Sequence, residues 1–231
     1  MIRRLALFDL DHTLIPYDSG MAWLRFLVRR GVLSEAAPER YLDCCRRYLA
    51  GALSLAELHR VAMAPLAQHG DPELDAWREE FAVGAAAAIP DAAYRLVARH
   101  RHAGALCCIV TTTNDFIAAP FAEALDVTLL ASVAERRRGR FTGEVVGELC
   151  HGEAKLRRVG AWLEGLGLTW ADFGHTMFYS DSASDLPLLG RVSEAVAVRP
   201  DAELRRVALH AAWRIAETLD DAFDRPVETV G

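Results

Sequence analysis

Five short apolar runs recur along this chain, each stopping at a polar or turn residue: Leu5 to Asp9, Ala105 to Thr111, Val127 to Ser132, His175 to Ser180 and Glu194 to Val198. Runs of this length without polar alternation are the pattern of strands buried on both faces. Helical patterns lie between several of them, at Asp91 to His102, Asn114 to Leu125 and Glu153 to Leu166. Strand and helix in alternation predict an α/β fold, a doubly wound parallel sheet. Such a sheet binds ligands at the carboxyl ends of its strands, so the residues that end the runs are the first candidates for chemistry.

The alternation breaks between Asp18 and Ala88, where four helical segments follow one another with no strand candidate. Met21, Leu24, Leu27 and Val28 share one face, Tyr41, Cys45, Tyr48 and Ala52 a second, and Leu74, Trp77, Phe81 and Ala85 a third. Ser54 with Glu57 has the spacing of a capping box, and Asp71 followed by Pro72 marks a helix start. This predicts a helical bundle, residues 18–88, inserted after the first strand of an α/β core made of residues 1–17 and 89–231. Phe141-Thr142-Gly143, beyond Arg136, Arg137, Arg138 and Arg140, predicts a small hairpin with solvated arginines.

Composition narrows the partners. The net charge of -6 argues against nucleic acid, which needs a cationic field to replace phosphate counterions. No apolar stretch approaches the ~18 residues that cross a bilayer, and Asp9 and Asp11 interrupt the first apolar run before a secretory segment forms. No membrane partner is expected, and a cytoplasmic location is. Five cysteines, two of the pairs adjacent and none with metal-ligand spacing, are expected to be reduced, buried thiols.

The first strand delivers Asp9-Leu10-Asp11-His12-Thr13, two carboxylates two residues apart where a strand opens into a loop. Like charges this close become tolerable with a divalent cation between them. A later strand delivers Asp181-Ser182-Ala183-Ser184-Asp185. Should both loops leave the same sheet edge, Asp9, Asp11 and Asp181 form the oxygen-rich site that Mg²⁺ prefers. Thr111, Thr112 and Thr113 end the second strand with hydroxyls ahead of a helix, and Lys155 opens the helix begun at Glu153; both features suit a phosphate group. His12 and His151 lie close to these residues in sequence, but a surface or supporting role is the simpler expectation for lone histidines.

Taken together, Asp9-Leu10-Asp11-His12-Thr13, Thr111, Lys155 and the 181–185 acidic loop resemble, in order and across almost the whole chain, the motifs of the haloacid dehalogenase-like (HAD) superfamily. The helical insertion is similar to the cap of its subfamily IB, the phosphoserine phosphatase-like branch. One departure is Thr111-Thr112-Thr113 where that branch usually carries Ser-Gly-Gly. The resemblance implies a HAD-like, Rossmann-type core and a Mg²⁺-dependent hydrolysis of a small phosphorylated metabolite through an aspartyl-phosphate. By it, Asp9 is the nucleophile and Asp11 the general acid and then base. Mg²⁺ contacts a side-chain oxygen of Asp9, the backbone carbonyl of Asp11, and Asp181. Thr111 and Lys155 hold the phosphoryl group, and Asp185 orients Lys155 or a metal-bound water, with Thr13 in support. The same residues permit phosphoryl transfer to a second substrate, as in mutases, or a phosphate-binding regulatory protein without turnover.

Asp18 stands at the junction between the first motif and the helical insertion, where a carboxylate can pair with a substrate ammonium or cap the helix that starts near Gly20. Phosphoserine also needs a cation for its carboxylate, for which Arg25, Arg46 and Arg60 are candidates, whereas Thr112 and Thr113 in place of glycines narrow the pocket. An amino-alcohol phosphate without a carboxylate, such as histidinol phosphate, is therefore expected ahead of phosphoserine.

Overall fold

A computed structural model describes residues 3–223, so the extreme ends of the segments 1–17 and 89–231 lie outside the described residues. The strand β1 (Arg3–Phe8) is followed by four helices, α1 (Ser19–Arg29), α2 (Ala37–Leu49), α3 (Leu55–Ala67) and α4 (Asp71–Ala88). Alternation then resumes with α5 (Asp91–His102), β2 (Ala105–Asn114), α6 (Asp115–Leu125) and β3 (Thr128–Ser132). After a hairpin of β4 (Ala134–Arg137) and β5 (Arg140–Val145) come α7 (Glu153–Gly165), β6 (Phe173–Ser180), α8 (Leu186–Leu189), β7 (Glu194–Val198), α9 (Ala202–His210) and β8 (Arg214–Ala216).

Six strands form one parallel sheet in the order β3-β2-β1-β6-β7-β8. The chain winds outward from β1 through β2 to β3, then returns to the other side of β1 with β6, which puts the topological switch point between β1 and its neighbours. Successive β1 side chains serve opposite faces. Ala6 and Phe8 join the apolar core that contains residues of α1, α3, α4, α5 and α6, whereas Leu5 and Leu7 join the one built with Val159 and Leu163 of α7 and Leu204 and Ala208 of α9. The doubly wound sheet is thus the one the apolar runs predicted. Trp23, Met63, Leu74, Trp77 and Phe81 belong to the same continuous core as Phe8, so α1, α3 and α4 pack onto one sheet face, while α2 joins a separate cluster through Tyr41 against Met21 and Leu24.

Local departures have local causes. β8 is missed by the apolar pattern because it is only Arg214-Ile215-Ala216, too short to show a period. The hairpin turns at Arg138-Gly139, within the arginine run: both residues have positive φ, 52° and 72°, as a two-residue type I′ turn requires, and Phe141 lies buried inside β5. Its arginines are not simply solvated, since Arg136 pairs with Asp71 at 3.0 Å and Arg140 donates to the Gln68 carbonyl. The apolar face assigned to α2 is thin: of its residues only Ala37 and Tyr41 are buried, and the helix ends before Ala52. Cys107, Cys108 and Cys150 are buried, while Cys44 and Cys45 are half-buried.

Candidate active site

Three strand ends meet at the switch point. Asp9 still donates its backbone N–H to the Tyr179 carbonyl of β6 at 2.9 Å, so its side chain leaves the sheet beside β6. The loop after it is pinned by buried Leu10, Leu14 and Ile15, and the N–H groups of Thr13 and Ile15 both donate to the Leu10 carbonyl. These apolar pegs alternate with Asp9, Asp11 and Thr13, which leaves the polar residues grouped on the other side. His12 takes φ 57° at the bend, and the Arg199 guanidinium, itself on a residue at φ 45°, donates to the carbonyls of His12 and Thr13.

Lys155 reaches this loop from the first turn of α7. Gly152, at φ 55° and ψ -127°, caps that helix in a conformation open to glycine alone, and a Cβ there would stand 3.7 Å from the Ser184 carbonyl. The close approach brings the Lys155 ammonium, 2% exposed, within 3.0 Å of Asp9 Oδ1 and 2.8 Å of Asp185 Oδ2. The Ser180 hydroxyl also donates to Asp185 Oδ2 at 2.7 Å, while Asp185 Oδ1 is buried with no hydrogen-bond partner among the described residues. Thr13 donates its hydroxyl to Asp181 Oδ1 at 3.1 Å.

The Asp11 side chain turns the other way. Its Oδ1 accepts the Ser19 N–H at 2.6 Å and its Oδ2 the Thr113 hydroxyl at 2.6 Å. Ser19 in turn donates its hydroxyl to Thr113 Oγ1 at 3.3 Å. Thr111 is fully buried, with Oγ1 accepting the Thr113 N–H at 3.2 Å. Thr112 donates instead to the Cys150 carbonyl at 3.0 Å, with His151 Nδ1 3.5 Å from the same hydroxyl. Asp18 caps α1, its Oδ1 accepting the Met21 N–H at 2.6 Å, and it lines the same cavity as Asp11, Thr112 and Thr113. His12 is exposed on the loop.

Electrostatics bind the group together. Burial raises the Asp9 carboxyl well above its ordinary value; Lys155 pulls it down, and Asp185, Asp181 and Asp11 push it further up. Asp181 is raised by burial too, against His12 and the Thr13 hydroxyl. Burial alone would lower the Lys155 ammonium, but Asp185 and Asp9 outweigh it and hold the lysine charged. Four mutually repelling carboxylates, Asp9, Asp11, Asp181 and Asp185, with one buried ammonium make a site short of positive charge. Among the described residues no three His, Cys, Asp or Glu side chains form a complete metal cage. A cation here has the carboxylates of Asp9 and Asp181 and backbone oxygen as donors, an all-oxygen set that suits Mg²⁺ completed by water.

Of the residues the sequence pointed to, the structure joins Asp9, Lys155 and Asp185 directly and Thr13 to Asp181, while Asp11 and Thr111 are linked through Thr113. Nothing in the sequence marked Ser19 or Arg199, and Thr113 stood out only as one of three strand-end hydroxyls and as a side chain narrowing the pocket. Its link to Asp11 was findable, since strand residues two apart share a face and Thr111 was already chosen.

The model of the haloacid dehalogenase-like hydrolase family matches residues 6–190. A histidinol-phosphatase of Neisseria meningitidis serogroup C is 36% identical over 220 residues, covering 93% of this chain and 98% of the relative. A phosphoserine phosphatase of Mycobacterium tuberculosis is 34% identical over 92% of this chain and 70% of its own length. A crystal structure of a protein of unknown function from Bordetella pertussis Tohama I superposes with TM-score 0.87 at 40% identity, over 94% of this chain and 99% of that one. A substrate-bound phosphoserine phosphatase shares the fold at TM-score 0.68 and 17% identity, over 94% of each chain. The motif order, the switch-point geometry and a match over most of the chain agree: this enzyme belongs to the haloacid dehalogenase-like hydrolase family.

Proposed function

We propose that this hydrolase is a Mg²⁺-dependent phosphatase that cleaves a small phosphomonoester through an aspartyl-phosphate on Asp9, with an amino-alcohol phosphate such as histidinol phosphate preferred to phosphoserine. The observation that carries the reading is the Lys155 ammonium held between Asp9 and Asp185 at the switch point. Lys155 fixes one oxygen of Asp9, so the other is presented to phosphorus. As that oxygen bonds phosphorus, the bond to the alcohol oxygen breaks and Asp11 delivers its proton to the departing alkoxide. Water then attacks phosphorus, Asp11 takes the water proton, and the bond to Asp9 breaks to release phosphate.

Thr113 suits that exchange, because a hydroxyl is both donor and acceptor and can follow Asp11 through both protonation states. Thr111 and Lys155 would hold the phosphoryl oxygens, and Thr13 would steady Asp181. Mg²⁺ held by Asp9, the Asp11 carbonyl and Asp181 would supply the electrostatic stabilisation that phosphoryl transfer depends on. The buried Asp185 Oδ1 that lacks a partner fits this, since a metal-bound water is the donor it needs. Residues 18–88 would act as the cap over the core. The relative named histidinol-phosphatase, matched over nearly its whole length, supports the choice of substrate.

The test is phosphate release from phenyl phosphate and histidinol phosphate with Mg²⁺ or with chelator. Turnover should need the metal and vanish in Asp9→Asn, whose amide cannot attack phosphorus. Near wild-type turnover in that variant would remove Asp9 from the mechanism.

A further inference from the structure

A cavity of about 160 Å³ opens beside Asp11, between the ends of β1 and β2 and the helices α2 and α3. Its walls include Asp11, Asp18, Tyr41, Leu58, His59 and Thr113. The volume is that of about five liquid waters, room for a compact side chain and not for a nucleotide. Gly20 keeps one wall open, since a Cβ there would lie 3.1 Å from both Asp18 Oδ1 and the Tyr41 hydroxyl. No lysine or arginine lines it among the described residues. Of the arginines that could meet a substrate carboxylate, Arg46 pairs with Glu39 and Arg60 with Glu144, while Arg25 lines a different cavity.

His59 stands out on this wall. It is 9% exposed, and its Nε2 is buried with no hydrogen-bond partner among the described residues. Burial lowers its pKa, helped by Arg60 and opposed by Glu144 and Asp115, which favours the uncharged imidazole. The residue lines the cavity, so a ligand that can hydrogen-bond an imidazole there is bound in preference to one that cannot. The cavity thus offers a carboxylate at Asp18, a phenol at Tyr41 and an uncharged imidazole. A substrate ammonium and a second polar nitrogen match that set, whereas a carboxylate would face Asp11 and Asp18 with no cation to offset them.

We propose that His59 is a specificity-determining residue of this site, pairing with a second polar nitrogen on the alcohol part of the substrate and, with Asp18, selecting diamine-like or imidazole-bearing amino-alcohol phosphates over carboxylate-bearing ones. This rests on the phosphatase reading, and the test separates the two. Steady-state kinetics of the full chain with Mg²⁺ are measured on phenyl phosphate, histidinol phosphate and phosphoserine, for wild type, His59→Leu and His59→Arg. Wild type should favour histidinol phosphate. His59→Leu should raise KM for histidinol phosphate about tenfold, the usual weight of one hydrogen bond, with kcat and all phenyl phosphate kinetics within about twofold. His59→Arg supplies the missing cation and should shift the ratio of kcat/KM about tenfold or more toward phosphoserine. Equal losses on phenyl phosphate and histidinol phosphate in His59→Leu would mean a packing role only and overturn the proposal. So would a wild-type preference for phosphoserine. Should His59→Leu fold poorly, the His59→Arg ratio decides, and an unchanged ratio overturns the proposal. Wild type inactive on all three substrates instead refutes the phosphatase reading on which it stands.

Discussion

Replacing Lys155 with methionine tests the electrostatic core of the site without any substrate. In the folded chain the ammonium is 2% exposed, 3.0 Å from Asp9 and 2.8 Å from Asp185, and Asp185 has no exposure at all. Methionine fills a similar volume but leaves two buried carboxylates without their cation. Removing one partner of a buried ion pair costs about 3–5 kcal/mol. With a urea m-value of about 2–3 kcal/mol/M for a chain this size, the unfolding midpoint of Lys155→Met should fall by about 1 to 2.5 M in metal-free buffer at pH 8.

The deficit should depend on pH with a definite sign. Without the ammonium that pulls it down, the buried Asp9 carboxyl binds a proton more tightly than an unfolded one, whose pKa is about 3.9. A raised folded pKa in an acid lowers stability as pH climbs above the unfolded value, so the deficit should shrink as pH is lowered from 8 to 5. Adding Asp185→Asn removes one orphaned charge and should return at least half of the lost stability while leaving the enzyme inactive. A Lys155→Met midpoint equal to wild type at pH 8, or a deficit identical at pH 5 and pH 8, would refute the buried-triad account.

Asp11→Asn should bind Mg²⁺ by calorimetry as wild type does, because its side chain is held by Ser19 and Thr113, yet lose about 10² to 10⁴ in kcat; lost Mg²⁺ affinity in a folded variant would contradict that division. Arg199→Ala frees the carbonyls of His12 and Thr13 and should lower kcat for phenyl phosphate about ten- to hundredfold through misplacement of the loop, with wild-type kcat counting against it. Burial, with the charge of Asp11, pushes Asp18 up to about 6, so below that pH it is protonated and loses its attraction for an ammonium. The ratio of kcat/KM for histidinol phosphate over phenyl phosphate should therefore fall as pH drops from 7 to 5, and in Asp18→Asn it should be low and flat; a pH-independent ratio in wild type would rule out that pairing.

The sheet was legible because its strands are buried on both faces and so read as unbroken apolar runs: β7 runs from Glu194 to Val198, as its apolar run predicts. β8 escaped because three residues carry no period, whereas the hairpin was legible from its arginine run, although nothing in that run marked Arg138, a non-glycine at positive φ, as half of the turn. The helices after β1 were legible one by one from faces such as Leu74, Trp77, Phe81 and Ala85, all buried. That α1, α3 and α4 share one core with the sheet was not, since a 3.6-residue period says that a face is covered and not what covers it.

The candidate site divides in the same way. Asp9, Lys155 and Asp181 were visible because each ends a strand or opens a helix, and in a parallel sheet that position alone fixes the edge at which a residue emerges. Which threonine serves which partner was not legible: the residue whose hydroxyl reaches Asp11 is Thr113, whereas Thr112, expected to meet substrate, donates to the Cys150 carbonyl while lining the same cavity. His59 and Tyr41 left no trace in the sequence beyond being ordinary members of amphipathic helices. What makes them candidates is the angle at which α2 and α3 are laid over the strand ends, set by packing of Met63 and Leu66 beneath and by Tyr41 against Met21 and Leu24. The groups that would break and form bonds are thus written into strand ends, while those that would choose the substrate lie on helices whose placement depends on the whole core. A substitution in the buried face of α3 that leaves His59 itself untouched should accordingly change which phosphate ester is preferred before it changes the rate of hydrolysis of phenyl phosphate.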